Sequence, residues 1–145
     1  MMMPWPAFAD SMLCIAEKSV GFDWEQEQWV PKIFRTDSKF ILRTATEKDK
    51  DDPKLSNPGN LAKTQISHVW SMFGVGYLQA CRSSKEGIHC DAGVGIFNFR
   101  KLSQRFIFEQ GLGMPMLDHP QVHEFKKTYG FVGSSTVEIG SCSKI

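Results

Sequence analysis

A chain of 145 residues with 17 basic and 16 acidic side chains carries a net charge of +1. That is the size of one domain with one core, and the charge balance removes the usual electrostatic case for a nucleic-acid partner. Hydrophobic residues make up 41%, yet no apolar run approaches the roughly 18 residues that cross a membrane as a helix.

Residues 1–9 read MMMPWPAFA. Ala7-Phe8-Ala9 has the small-x-small form that signal peptidase accepts, which would make Asp10 the first mature residue. Nine residues cannot hold a complete basic and apolar leader. Residues 1–9 are therefore expected to be the remnant of a signal peptide or a disordered N-terminus, with 10–145 a single β domain. Cys14, Cys81, Cys90 and Cys142 are an even set without C-x-x-C spacing, which argues for disulfides and against a zinc ribbon or a redox motif. Three pairings are possible. The favoured one joins Cys81 to Cys90 across a short Ser, Lys and Gly-rich loop. Cys14 would then pair with Cys142, tying the first strand to the last as a closed barrel requires. Such bridges place the protein in the periplasm or outside the cell. Four free thiols would instead mean a cytosolic protein with small core cysteines.

Residues 11–18 alternate weakly and read as the first strand. Residues 20–24 follow, with Gly21 as a bend or bulge, and Phe22 and Trp24 share a face. Glu25-Gln26-Glu27-Gln28 is a polar turn, and residues 29–34 return as a second strand, making an aromatic hairpin. Thr36-Asp37-Ser38 is a turn signal before a short strand at 39–44. Residues 44–64 hold mixed charges, two prolines and an Asn-Pro-Gly-Asn run. They read as a long exposed loop, mobile or forming a rim over a site. Residues 65–72 alternate, with Ile66, His68 and Trp70 on one face, and 74–81 is the next strand.

The central stretch carries the clearest pattern. Phe97 and Phe99 share one strand face, Phe106 and Phe108 another, and Arg100-Lys101-Leu102-Ser103-Gln104 is polar enough for the loop between them. Four phenylalanines on one face of a hairpin make a core nucleus, each ring worth roughly 1.5–3 kcal/mol on burial. Asp118 or His119 before Pro120 starts the one credible helix, about 119–128, with Lys126 and Lys127 at its end and Gly130 to close it. Residues 134–141 form the final strand. The expected fold is all-β: an antiparallel barrel or strongly curved sheet of about seven to nine strands with one short helix in the C-terminal half.

The early Cys, the SVGFDWEQEQW hairpin, the GIFNF and QRFIFEQG pair and the closing VEIGSCSKI together resemble a family of small, uncharacterised exported proteins of proteobacteria. The resemblance covers most of residues 12–145 apart from the 44–64 loop, and it implies no activity. A second likeness, to C-type lysozyme inhibitors and lipocalins, is architectural only.

Signals for chemistry are sparse. No phosphate-binding or dinucleotide motif, G-x-S-x-G or catalytic-cysteine context is present, so no cofactor and no enzymatic activity are expected. His119 and His123 are spaced i, i+4, as zinc ligands on a helix are, and Glu124 follows them. The order H-x-x-x-H-E differs from the zincin motif, so a metal-dependent enzyme using His119, His123 and Glu124 stands only as an alternative. Trp24, Trp29, Trp70, Tyr77, Phe97 and Phe99 are a candidate set for lining a pocket for a small apolar ligand; the plainer expectation is that such rings fill the core. The functional expectation is a non-enzymatic exported binding module for a small apolar ligand or a protein partner. A further alternative is an inhibitor that inserts loop 45–64 or 82–89 into a hydrolase.

Overall fold

The computed structural model describes residues 10–73, 78–91, 95–111, 117–130 and 135–145. The leader reading of residues 1–9 and the assignment of Tyr77 to a pocket fall outside them. The described strands are β1 (Ser11–Glu25), β2 (Gln28–Phe34), β3 (Lys39–Thr44), β4 (Leu55–Ser56), β5 (His68–Met72), β6 (Leu78–Ser83), β7 (Gly87–Asp91), β8 (Gly95–Arg100), β9 (Arg105–Gln110) and β10 (Ser135–Lys144). Two α-helices accompany them: the single-turn α1 (Glu47–Lys50) and the longer α2 (His119–Tyr129).

Eight strands pair antiparallel in the cyclic order β1-β3-β5-β6-β7-β8-β9-β10, and β10 returns to pair with β1, so the sheet closes into a barrel. Closure removes the open edges that an eight-strand sheet would otherwise present. Two strands lie off the ring. Among the described residues β2 pairs only with the second half of β1, and the two-residue β4 lies parallel to β6. Near one end of the seam Cys14 sits opposite Cys142, and the pair is disulfide-bonded. The second bridge, Cys81–Cys90, joins register partners on β6 and β7.

Period-2 alternation turns one side chain in two into the barrel. Phe97 faces Phe108 and Phe99 faces Phe106, as the Phe spacing predicts, and all four rings are buried. Phe40 and Trp70 complete the aromatic packing, with Phe40 5.3 Å from Trp70 and 5.2 Å from Phe108 between ring centroids, and Phe97 5.2 Å from Phe106. Large rings need small neighbours. Gly140, the register partner of Phe106, supplies one: a Cβ there would lie 2.0 Å from the Ile15 carbonyl oxygen and 2.8 Å from the Phe106 ring.

Three local readings change. β1 is one continuous strand, and its irregularity lies between Ala16 and Lys18 rather than at Gly21. The extra residue, Glu17, shifts the alternation, so Cys14 and Ala16 are buried before it and Ser19 after it. Gly21 is needed for close approach instead, because a Cβ would meet the Ser135 carbonyl oxygen at 1.8 Å. Residues 82–89 are not a protruding loop. They continue β6 and β7, and the turn is closed by the Ser84 N–H donating to the Gly87 carbonyl at 2.8 Å.

The stretch 45–64 is built rather than loose. Thr46 and Asp49 form a reciprocal capping box on α1, and Arg43 on β3 grips the Asp49 carboxylate through both Nη atoms, at 2.5 and 2.8 Å. That guanidinium, together with the Thr46 donors, holds the Asp49 carboxyl down to about 2. Asn57 then closes the next turn, accepting from the Leu61 N–H and donating to the Leu61 carbonyl.

Candidate functional site

Of the residues offered as one pocket, the five described ones fall into two separate groups. Trp70 (1% exposed) and Phe97 (0%) sit in the packed interior, and Phe99 is buried beside them. Trp24 and Trp29 lie elsewhere, as opposite partners near the tip of the β1–β2 hairpin with ring centroids 5.3 Å apart. The four cysteines are all in disulfides.

The β1–β2 hairpin is where the outside of the barrel becomes unusual. Its register pairs Val20 with Ile33, Phe22 with Pro31 and Trp24 with Trp29, so these six side chains share one face. The opposite face carries Gly21, Asp23 and Glu25 with Val30, Phe34 and Lys32, the last of which bonds to Glu25 and lies 3.8 Å from Asp23. Elsewhere in the barrel the apolar face turns inward. Here the bulge at Glu17 has shifted the alternation, and the apolar face turns out: Ile33 is 89% exposed, Val20 47% and Phe22 42%. Val137 on β10 extends the row, being the other partner of Val20. Val20, Phe22, Pro31, Ile33 and Val137 line a shallow groove of about 570 Å³ on this surface.

The far end of the same hairpin meets α2. Asp118 caps that helix, accepting from the Gln121 N–H at 3.1 Å, while the Gln121 side chain accepts from the Asp118 N–H at 2.9 Å. Gly130, in the left-handed conformation that glycine tolerates, ends it. Val122 is buried, and the i, i+4 spacing places His119 and His123 on one face with their rings 4.4 Å apart. Both point at Glu27. His119 Nε2 lies 2.5 Å from Glu27 Oε2, and His123 Nε2 lies 3.5 Å from Oε1. Trp24 closes one side, 5.9 Å from the His119 ring. The His119 contact pulls the Glu27 carboxyl below its ordinary range.

Glu27 reaches this position through an unusual turn. Gln26 and Glu27 both have positive φ, 48° and 65°, in the two-residue loop of a type I′ hairpin. That turn favours Asn-Gly, since side-chain-bearing residues are strained there by roughly 1–2 kcal/mol each. Sequence spacing marks 25–28 as a turn but does not link it to a helix 92 residues away. Glu124, the acid first associated with the two histidines, is not in the cluster. Neither are His68, whose Nδ1 contacts Ser67 Oγ at 2.8 Å, and His89, whose Nδ1 lies 2.7 Å from Asn98 Oδ1.

A second concavity, about 650 Å³, lies over the outer face of β6 to β9 and is lined by Arg82, His89, Asn98, Arg100 and Arg105 among others. Within it Arg105 binds Glu17 at 3.0 Å, and His89 is held by Asn98. Comparison with protein-family models, with curated proteins and with solved structures gives no match.

Proposed function

We propose that this protein is an exported, non-enzymatic binding module that docks a protein partner on the outer apolar face of β1, β2 and β10. The observation that carries the reading is the inversion at the β1–β2 hairpin, where Val20, Phe22 and Ile33 stand in solvent on the face opposite Asp23, Glu25 and Lys32. Exposed apolar groups are ordinary singly; a contiguous row of them across three strands marks an interaction surface. The filled interior favours this surface over the barrel centre as the place of binding, because Phe40, Trp70, Phe97, Phe106 and Phe108 occupy the space a small ligand would need. The short turn at 84–87 and the hydrogen-bonded 45–64 stretch give less support to a loop-inserting inhibitor. Two disulfides are compatible with a periplasmic or secreted setting, and no described helix is long and apolar enough to cross a membrane.

The manner of docking also follows from the hairpin. In a two-residue hairpin the flanking residues form a hydrogen-bonded pair, so Trp29, Pro31 and Ile33 direct their backbone groups to the edge of β2 away from β1. Pro31 has no N–H and interrupts that edge, which disfavours strand addition. The partner therefore meets the side-chain face. With a net charge of only +1, association is not steered by long-range attraction and changes little with salt.

The test places a photo-crosslinking amino acid at position 33 in the exporting cell. A discrete adduct to another protein, lost in the Val20→Asp/Phe22→Asp variant while circular dichroism is unchanged, is the expected result. An adduct at twice the chain mass would overturn the hetero-partner reading in favour of self-association. Absence of any adduct, or one indifferent to the double substitution, would overturn the docking face itself.

A further inference from the structure

We propose that Glu27, His119 and His123 form a binding site for a divalent transition-metal ion of the zinc class, and that the ion clamps α2 to the tip of the β1–β2 hairpin. One ligand atom from each residue lies within 4.8 Å of the other two. The separations are those of a site rather than of a loose cluster. Two ligands held about 2.05 Å from a tetrahedral ion stand roughly 3.3 Å apart. His119 Nε2 and His123 Nε2 are 3.3 Å apart, and His123 Nε2 is 3.5 Å from Glu27 Oε1. The shorter contact, 2.5 Å, is from His119 Nε2 to the other carboxylate oxygen, Oε2, and it is a hydrogen bond that an inserted ion would replace.

Without an ion the two Nε2 atoms face different oxygens of the one carboxylate, His119 at Oε2 and His123 at Oε1, and stand 3.3 Å from each other. An ion at the centre takes the lone pairs of both Nε2 atoms and one carboxylate oxygen together, with each ring proton on Nδ1. Two imidazoles and a carboxylate are a borderline donor set that suits zinc, with copper and nickel also admitted. All three side chains are about half exposed or more, so an ion has an open route in, and a fourth position remains for water.

The two histidines come from the first turns of α2, and Glu27 from a turn that holds it at positive φ. The metal would therefore bridge elements 92 residues apart in the chain, at the end of the hairpin remote from the apolar groove. The role is structural and does not rest on the docking function.

The experiment is a titration of the untagged, disulfide-intact full chain with zinc chloride by calorimetry, with hydrogen exchange of residues 119–129 read in parallel. The expected result is one zinc per chain, slower exchange in α2 when zinc is bound, and affinity at least tenfold weaker in His119→Ala, His123→Ala and Glu27→Gly. Glu27→Gly is the informative variant. Glycine is the residue a type I′ turn prefers, so the hairpin remains folded while the carboxylate is lost. His89→Gln serves as the control and keeps full affinity. Failure to bind zinc with one-to-one stoichiometry, or binding that survives Glu27→Gly unchanged, would overturn the assignment. Binding without added protection of α2 would overturn the clamp.

Discussion

Cys14 and Cys142 stand directly opposite each other on the first and last strands of the barrel, with Cα atoms 4.0 Å apart, and their disulfide lies across the seam where the sheet closes on itself. The bridge spans 128 residues, against 9 for Cys81–Cys90. In the chain-entropy account the longer loop contributes about 5 kcal/mol and the shorter about 2.5. The Cys14→Ala/Cys142→Ala variant is expected to lose more stability in urea than Cys81→Ala/Cys90→Ala. Equal losses would mean that the unfolded chain already keeps the two ends together.

Phe106 and Phe108 test the packed interior. Both are buried against Phe40 and Phe97. Truncation to Ala removes buried area and leaves a cavity, for an expected loss of about 3–5 kcal/mol each. Gly140→Ala probes the same contact from the other side, by overpacking against the Ile15 carbonyl and the Phe106 ring, and is expected to cost about 1–3 kcal/mol. Urea unfolding with unchanged m-values checks all three, and losses below ~1 kcal/mol at both phenylalanines would contradict a filled core.

The Arg43–Asp49 pair makes an acid-sensitive contribution. Asp49 is held down to about 2, chiefly by Arg43, from an ordinary aspartate value near 3.9. A depressed carboxyl stabilises the fold above the unfolded value and loses that contribution as pH falls through the folded one. Asp49→Asn is therefore expected to cost on the order of 1–2 kcal/mol at pH 7, with the difference from wild type shrinking between about pH 4 and pH 2. Thermal melts across that range give the measurement.

Glu138 has the opposite sign. Burial raises its carboxyl, the nearby Asp37 adds to the effect, and the Ser38 hydroxyl, donating at 2.8 Å, offsets it in part. A raised carboxyl is stabilising while protonated, and that contribution is lost as pH rises from the unfolded value through the folded one. Glu138→Gln keeps an acceptor for Ser38 and removes the buried charge. The variant should melt higher than wild type at neutral pH and converge with it in mild acid. A lower melting point at neutral pH would show that the carboxylate is needed as an anion.

The parts of this fold that the sequence determined are those written in local pattern. The alternation of Phe97 with Phe99 and of Phe106 with Phe108 sets the central hairpin and its register, since a one-residue slip of either strand would turn its two rings to solvent. Asp118, Pro120 and Gly130 bound α2 through cap chemistry that acts within a few residues. The four cysteines left three pairings open in the sequence, and barrel closure decides among them by setting Cys14 opposite Cys142. The sense of each face was decided only by the tertiary structure. Alternation shows that the two faces of β1 differ, but not which one is inside. One extra residue at Glu17 turns Val20, Phe22 and Trp24, an apolar row by every local sign, onto the outer surface. The meeting of Glu27 with His119 and His123 has the same origin. Their convergence depends on where barrel closure carries a hairpin tip and a helix, and neither segment holds any local record of the other.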